Sequence, residues 1–271
     1  MRAAVLFLLA FAALLFPKGW NAIKGADSHL FSKNLRTENY DFNQTKRSFE
    51  RFSSEAAIIL AQPFYYWGKG SQFYVYLSDD GAYVLKIPRA SKQRQSLLDR
   101  LMEREVSKPD LLRSLQIAYE NLALQTGLIA VHLDMRDEIL IAPVKLFDRL
   151  NRSQMVDMKS FPFAVQKRQM LLSSALAEAA NSEATKRILM SYLNLILLEA
   201  KKGWMSYDCA FWLNFGIENN EARRLDVGSY VALDESFSLS KAVKPVVHWL
   251  KKNDPLLVGW FEQEIEWRKL L

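Results

Sequence analysis

Cysteine is nearly absent. Cys209 is the only one in 271 residues, so no disulfide can form within the chain. Histidine is scarce as well: His29, His132 and His248 fall in three separate stretches, without the spacing of a zinc site. Cys209 lies beside Asp208 with no histidine near it in sequence, so a catalytic thiol there would lack an activating partner. No Gly-x-Ser-x-Gly elbow occurs, which removes the sequence signal of a Ser/His/Asp hydrolase. There is no nucleic-acid-binding motif, and nucleic acid is not expected as a partner. No apolar run reaches the about 20 residues that cross a bilayer as a helix. The amino-terminal run from Ala3 to Phe16 has fourteen.

What is present suits a folded protein. Half of the residues are hydrophobic, and seven Trp, ten Tyr and sixteen Phe exclude disorder over the whole chain. The length allows one large domain or two lobes, each with its own core. The formal charge of +6 fits an anionic ligand, an acidic partner or a lipid headgroup. Residues 1–26 are expected to be a hydrophobic signal peptide or an uncleaved anchor, although no clean small-x-small cleavage site follows. The chain is accordingly expected to be membrane-associated, with contact through residues 3–16, or secreted. The basic residues around the run point to a cytoplasmic-facing body if it stays uncleaved.

Residues 27–55 are polar and read as a linker or peripheral helix. From Phe64 onward the pattern is that of strands. Residues 73–77 alternate, Ser78-Asp79-Asp80-Gly81 is a turn, and residues 82–87 return as the second arm of a hairpin. Residues 89–113 are strongly charged. Residues 111–127 read as a helix stopped at Gly127, and 128–133 and 138–144 as two further strands. Residues 164–180 and 184–202 have helical composition, and Gly203 ends the second of these. Residues 204–232 are short strands and loops, and 240–271 one or two helices broken at Pro255. A strand-rich half thus precedes a helix-rich half, divided as 56–145 and 146–271.

Chemistry-bearing residues lie at intervals along this order. Gly68-Lys69-Gly70-Ser71 joins a strand to the hairpin, and glycines there let backbone approach a phosphate. Val84 and Lys86 share a face of the return strand, because strand side chains repeat every two residues. Lys86 sits between Leu85 and Ile87, opposite the glycine turn, where an ammonium could neutralise phosphate.

In these residues the chain resembles the protein-kinase superfamily. The family pattern Gly-x-Gly-x-x-Gly-x-Val, followed by a strand ending in Ala-x-Lys, is matched by Gly68, Gly70, Val75, Val84 and Lys86. Phe73 replaces the third glycine. Glu120 is the best-placed partner for Lys86 in the helix that follows. In Lys202–Tyr230, Asp208 matches the catalytic-loop Asp, Asn214 the metal-binding Asn, and Asp226-Val227-Gly228 the Asp-Phe-Gly element. Asp208 and Asn214 are six residues apart against the family's usual five, Ser206-Tyr207 replaces His-Arg, and no Ala-Pro-Glu follows. The likeness is therefore to atypical and small-molecule kinases more than to Ser/Thr kinases. The chain also resembles a little-characterised family of chlamydia-like intracellular bacteria, through the glycine loop and an Asn-Phe-Gly followed by Asp-x-Gly.

The resemblance implies an α+β, two-lobed protein-kinase-like fold that binds ATP and Mg²⁺. Lys86 would contact the phosphates, oriented by Glu120. Gly68, Gly70, Ser71, Val75 and Val84 would line the nucleotide site, Asn214 and Asp226 would hold the metal, and Asp208 would serve the acceptor. That acceptor could be a protein, a lipid or a small molecule. Two other readings stand beside this one: a pseudokinase that binds or scaffolds, and a membrane-tethered interaction protein in which Lys86 and Asp226 lie far apart. Mass spectrometry of the mature amino terminus reads out the first segment, since cleavage removes residues 1–26 and anchoring keeps them.

Overall fold

The β-hairpin expected around residue 80 is the centre of the fold. In the computed structural model, which describes residues 54–89, 110–133, 142–208, 210–235 and 237–268, β1 (Phe64–Lys69), β2 (Phe73–Ser78) and β3 (Tyr83–Pro88) run antiparallel. Gly81 takes the left-handed conformation at the turn (φ 69°), which a residue without Cβ adopts freely. The 1–26 segment, most of the 27–55 linker, residues 90–109 of the charged stretch, Cys209 and residues 134–141 lie outside the described residues. Among the described residues no helix is long and apolar enough to cross a membrane.

Seven strands form one sheet in the order β4-β7-β3-β2-β1-β5-β6, with β4 at Leu128–His132, β5 at Val144–Phe147, β6 at Ser153–Val156 and β7 at Phe163–Lys167. Only β1 and β5 pair in parallel; the other pairs of this sheet are antiparallel. One face packs on α1 (Ser54–Leu60) through Ala56, Ile59 and Leu60. The other receives α2 (Leu111–Thr126). Asp110 caps α2 by accepting from the Leu112 amide, and Gly127 (φ 67°) closes it.

Two sequence expectations change here, each for its own reason. The composition of 164–180 predicts a helix, yet residues 164–167 belong to β7, between β3 and β4. A short, wholly buried strand carries no alternation to separate it from a buried helix. Its inclusion carries the strand-rich lobe on to Lys167, past the division at 145. Of the strand expected at 138–144, residues 138–141 lie outside the described residues, and the described strand β5 begins at Val144, directly after Pro143, which has no N–H to give a ladder.

The second lobe is helical. After β8 (Met170–Leu171) come α3 (Leu172–Ala177) and α4 (Ser182–Lys201). Asn181 caps α4 by accepting from the Ala184 amide, and Gly203 (φ 84°) follows its end. Next are β9 (Trp204–Ser206), α5 (Phe211–Asn214), the hairpin β10 (Phe215–Glu218) and β11 (Glu221–Arg224), and β12 (Tyr230–Ala232). Helices α6 (Leu239–Asn253) and α7 (Val258–Arg268) finish it, separated at Pro255 as expected. Leu189, Tyr192, Leu193 and Ile196 of α4 pack with Phe211, Phe215, Val246 and Phe261 in this lobe's core. The architecture is α+β and two-lobed. A further cluster joins the lobes: Phe73 of β2 and Leu111, Leu115 and Ala118 of α2 pack with Val227 and Tyr230.

Leu193 is fully buried and remote from the lobe junction. Leu193→Ala is expected to cost about 2–5 kcal/mol, read as a lower denaturation midpoint with an unchanged m-value.

Candidate functional site

Lys86 is the centre of the candidate site. It stands on β3 opposite Val75 of β2, at 9% exposure, with its Nζ 5.7 Å from the centre of the Phe73 ring. Its ammonium crosses the lobe junction and donates to the Leu225 carbonyl at 2.5 Å. Leu225 directly precedes Asp226, whose charge also acts on the ammonium. Burial pushes the Lys86 ammonium down to about 8, and the Asp226 carboxylate partly opposes the shift. Lys86 and Asp226, 140 residues apart in the numbering, therefore frame one place. A membrane-tethered protein of unrelated fold had been expected to hold them apart.

Asn214 and Asp226 are adjacent through the backbone. The Asn214 carbonyl accepts from the amides of Leu225 (2.8 Å) and Asp226 (3.4 Å). The Asn214 side chain is buried and donates through Nδ2 to the Asp208 carbonyl at 3.3 Å. Asp226 Oδ1 accepts from the Gly228 amide at 3.0 Å, which fixes the turn after it. Asp208 is exposed, and its Oδ1 accepts from the Ala210 amide at 2.9 Å. Asp208, Asn214 and Asp226 thus meet through one short hydrogen-bond chain.

A carboxylate and a carboxamide oxygen are hard donors of the kind Mg²⁺ prefers. This ion commonly takes one or two carboxylates and completes its shell with phosphate and water. Among the described residues no group of three or more His, Cys, Asp or Glu could hold a metal alone. Asn214 and Asp226 are donors of the type such an ion takes when phosphate and water complete its shell.

Glu120 does not join the site. It is exposed on α2 and accepts from Gln116 Nε2 at 3.0 Å. The inward face of α2 carries Leu111, Leu115, Ala118 and Leu122 at helical spacing, and two residues beyond Ala118 the helix has turned about 200° away. In its first turn α2 points a polar residue inward, Ser114, which is fully buried. Its Oγ donates to the Val227 carbonyl and accepts from the Tyr230 amide, both at 2.7 Å.

The glycine turn joins β1 to β2. Gly68 sits at an irregularity in the β1–β2 ladder, and a Cβ at either Gly68 or Gly70 would meet nothing within 4 Å. Neither glycine has positive φ, so the turn's shape does not demand them. Ser71 is exposed, and Val75 and Val84 are partly buried, with Val75 packed on the interlobe cluster. Gln72 reaches across the junction and donates through Nε2 to the Gly228 carbonyl at 2.9 Å. A Cβ on Gly228 would lie 1.9 Å from Gln72 Oε1, so glycine there makes room for this contact.

Gln72 and Ser114 were not singled out from the sequence. A Gln beside a glycine turn and a Ser on a helix carry no local signal of a partner more than a hundred residues away. A separate groove of about 590 Å³ on the helical lobe, lined by Glu183, Lys186, Arg187, Asn194, Glu221 and Trp260 among others, includes none of these site residues.

No family model matches the chain, and no curated protein matches it. Among solved structures it is similar to WbdD in a high-resolution (2.2 Å) crystal structure, at 19% identity and a TM-score of 0.37, over 76% of this chain and 46% of that one. The co-crystal structure of WbdD with the kinase inhibitor LY294002 aligns at 17% identity and a TM-score of 0.35, over 73% and 44%. The medium-resolution structure of the bifunctional kinase-methyltransferase WbdD aligns at 18% identity and a TM-score of 0.34, over 72% and 43%. This chain spans less than half the length of each of these solved chains.

Proposed function

We propose that the chain binds a magnesium–nucleotide, with ATP the expected ligand, in the cleft framed by Lys86, Asn214 and Asp226. The observation that carries this reading is the Lys86 ammonium donating to the carbonyl of Leu225, beside the Asp226 carboxylate. In this reading Lys86 supplies positive charge to phosphate oxygens. Asn214 and Asp226 hold the ion, which when bound would neutralise charge on the same phosphates. Val75 and Val84 offer partly buried apolar surface to the rest of the ligand, with Gly68, Gly70 and Ser71 above the phosphates. In the same reading Asp208, which is exposed and tied to Asn214, would orient an acceptor hydroxyl or take its proton.

A nucleotide-binding scaffold that transfers no phosphate is the second reading. It is favoured by Gln72, which closes the glycine turn onto Gly228, and by Glu120, which pairs with Gln116 and leaves Lys86 with no helix carboxylate among the described residues. Incubation with Mg·ATP separates the two readings. Transfer to an acceptor or to the protein itself supports an atypical kinase, and binding without transfer supports the scaffold.

Calorimetry with Mg·ATP tests the shared claim. Lys86→Ala and Asp226→Ala are each expected to weaken binding about ten- to a hundredfold, the loss of one charge-assisted contact. Gln72→Ala, which unties the turn from Gly228, is expected to strengthen it. Absence of binding by the native chain would sink the reading.

The pH dependence follows from Lys86. Its folded value of about 8 lies below the ordinary 10.5, so the free protein loses this charge as pH rises through about 8. ATP affinity is expected to fall across that range. Stability moves the other way: between about 8 and 10.5 the unfolded chain holds a proton that the folded one has released, so Lys86 destabilises the fold less as pH rises. Affinity that is flat between pH 7 and 9 would remove Lys86 from the ligand.

A further inference from the structure

Directly behind the candidate site lies a buried charge cluster. Arg224, the last residue of β11, and Glu199, in the last turn of α4, are each 2% exposed. Arg224 donates through Nε to Glu199 Oε1 at 3.1 Å and through Nη2 to Oε2, a two-pronged pair. The Tyr230 hydroxyl donates to the same Oε1 at 2.5 Å. Burial and the Glu199 charge hold that hydroxyl well above its usual range, so it stays a donor. The guanidinium also lies 4.1 Å from the centre of the Phe215 ring.

Stability alone is a poor reason for such a pair. Removing two charges from water costs about as much as their attraction returns, and well-packed apolar side chains often do as well or better. What the pair supplies is geometry, and its contacts lie on the elements that carry the site. Arg224 Nη1 donates to the Asp208 carbonyl at 3.4 Å, the same oxygen that accepts from Asn214 Nδ2. Phe215, under the guanidinium, follows Asn214. Asp226 follows Arg224 by two residues, and its amide donates to the Asn214 carbonyl. The Arg224 carbonyl accepts from Gln166 Nε2 at 3.1 Å, which ties the cluster to β7 of the strand-rich lobe.

We propose that Arg224, held by Glu199 and Tyr230, is the positioning residue that sets Asp208, Asn214 and Asp226 relative to one another for ion binding. It touches neither ligand nor ion and acts through the Asp208 carbonyl and the β11 backbone. This rests on the nucleotide-binding reading above. The bland alternative is a staple that only strengthens the helical lobe.

The full chain carrying Glu199→Leu with Arg224→Met separates the two. It removes both charges together, so no lone ion is left buried. ATP affinity is measured with and without Mg²⁺, alongside thermal unfolding. The double variant is expected to melt at or above the native temperature, and to lose about tenfold of the Mg²⁺-dependent gain in affinity, as when the outer partners of metal ligands are removed. A double variant that folds and keeps the full gain would overturn the proposal. If it does not fold, Arg224→Lys and Tyr230→Phe decide: each should lose part of the gain at a native-like melting temperature, and full retention in both overturns the proposal. If the native chain shows no Mg²⁺-dependent ATP binding, the nucleotide reading fails on its own. Hydrogen exchange over residues 206–214 then judges the positioning role: faster exchange in these variants supports it, and unchanged exchange refutes it.

Discussion

A buried ammonium cannot be left without polar company, and this constraint organises the junction between the two lobes. Lys86 stands on β3 between Leu85 and Ile87, which are buried in the core, and is itself buried. Its charge must be met from across the gap. The groups that meet it are the Leu225 carbonyl and the Asp226 carboxylate, both at the end of the β10–β11 hairpin. One side chain thereby ties the end of the helical lobe's hairpin to the sheet.

Helix α2 fixes the same relation from the side. Its apolar face joins Phe73 to Val227 and Tyr230, and Ser114 exchanges hydrogen bonds with the backbone on either side of Gly228. Gln72 adds a third tie from the glycine turn to Gly228. The segment 225–230 is thus gripped by a strand, a helix and a turn of the other lobe. Below it, Arg224 and Glu199 grip it from the helical lobe itself. A short stretch held from both sides is where relative motion of two lobes would be felt, and it is the stretch that carries Asp226.

Much of the fold was legible in the sequence because local physics wrote it there. The turn at Gly81, the cap at Gly127 and the breaks at Gly203 and Pro255 are backbone requirements of single residues, and each lies where the sequence put it. The strand-rich half before the helical half followed from periodicity. Residues 164–167 read as helix because a strand buried on both faces carries no alternation, and its membership of the sheet is decided by β3 and β4 on either side. Glu120 misled for a related reason. The sequence marked a Glu on the right helix, but only the angle about the helix axis says which face it occupies, and it faces away.

The residue types of the candidate site, namely a strand lysine, an Asn and an Asp-Val-Gly, were set by the sequence, along with their order and the elements bearing them. Which of them meet was set by tertiary structure, because contact across 140 residues depends on how the lobes pack and on no local preference. The same holds for Gln72, Ser114 and the Arg224–Glu199 pair: each is unremarked in sequence and acquires its place only when burial forces a polar group to find a distant partner.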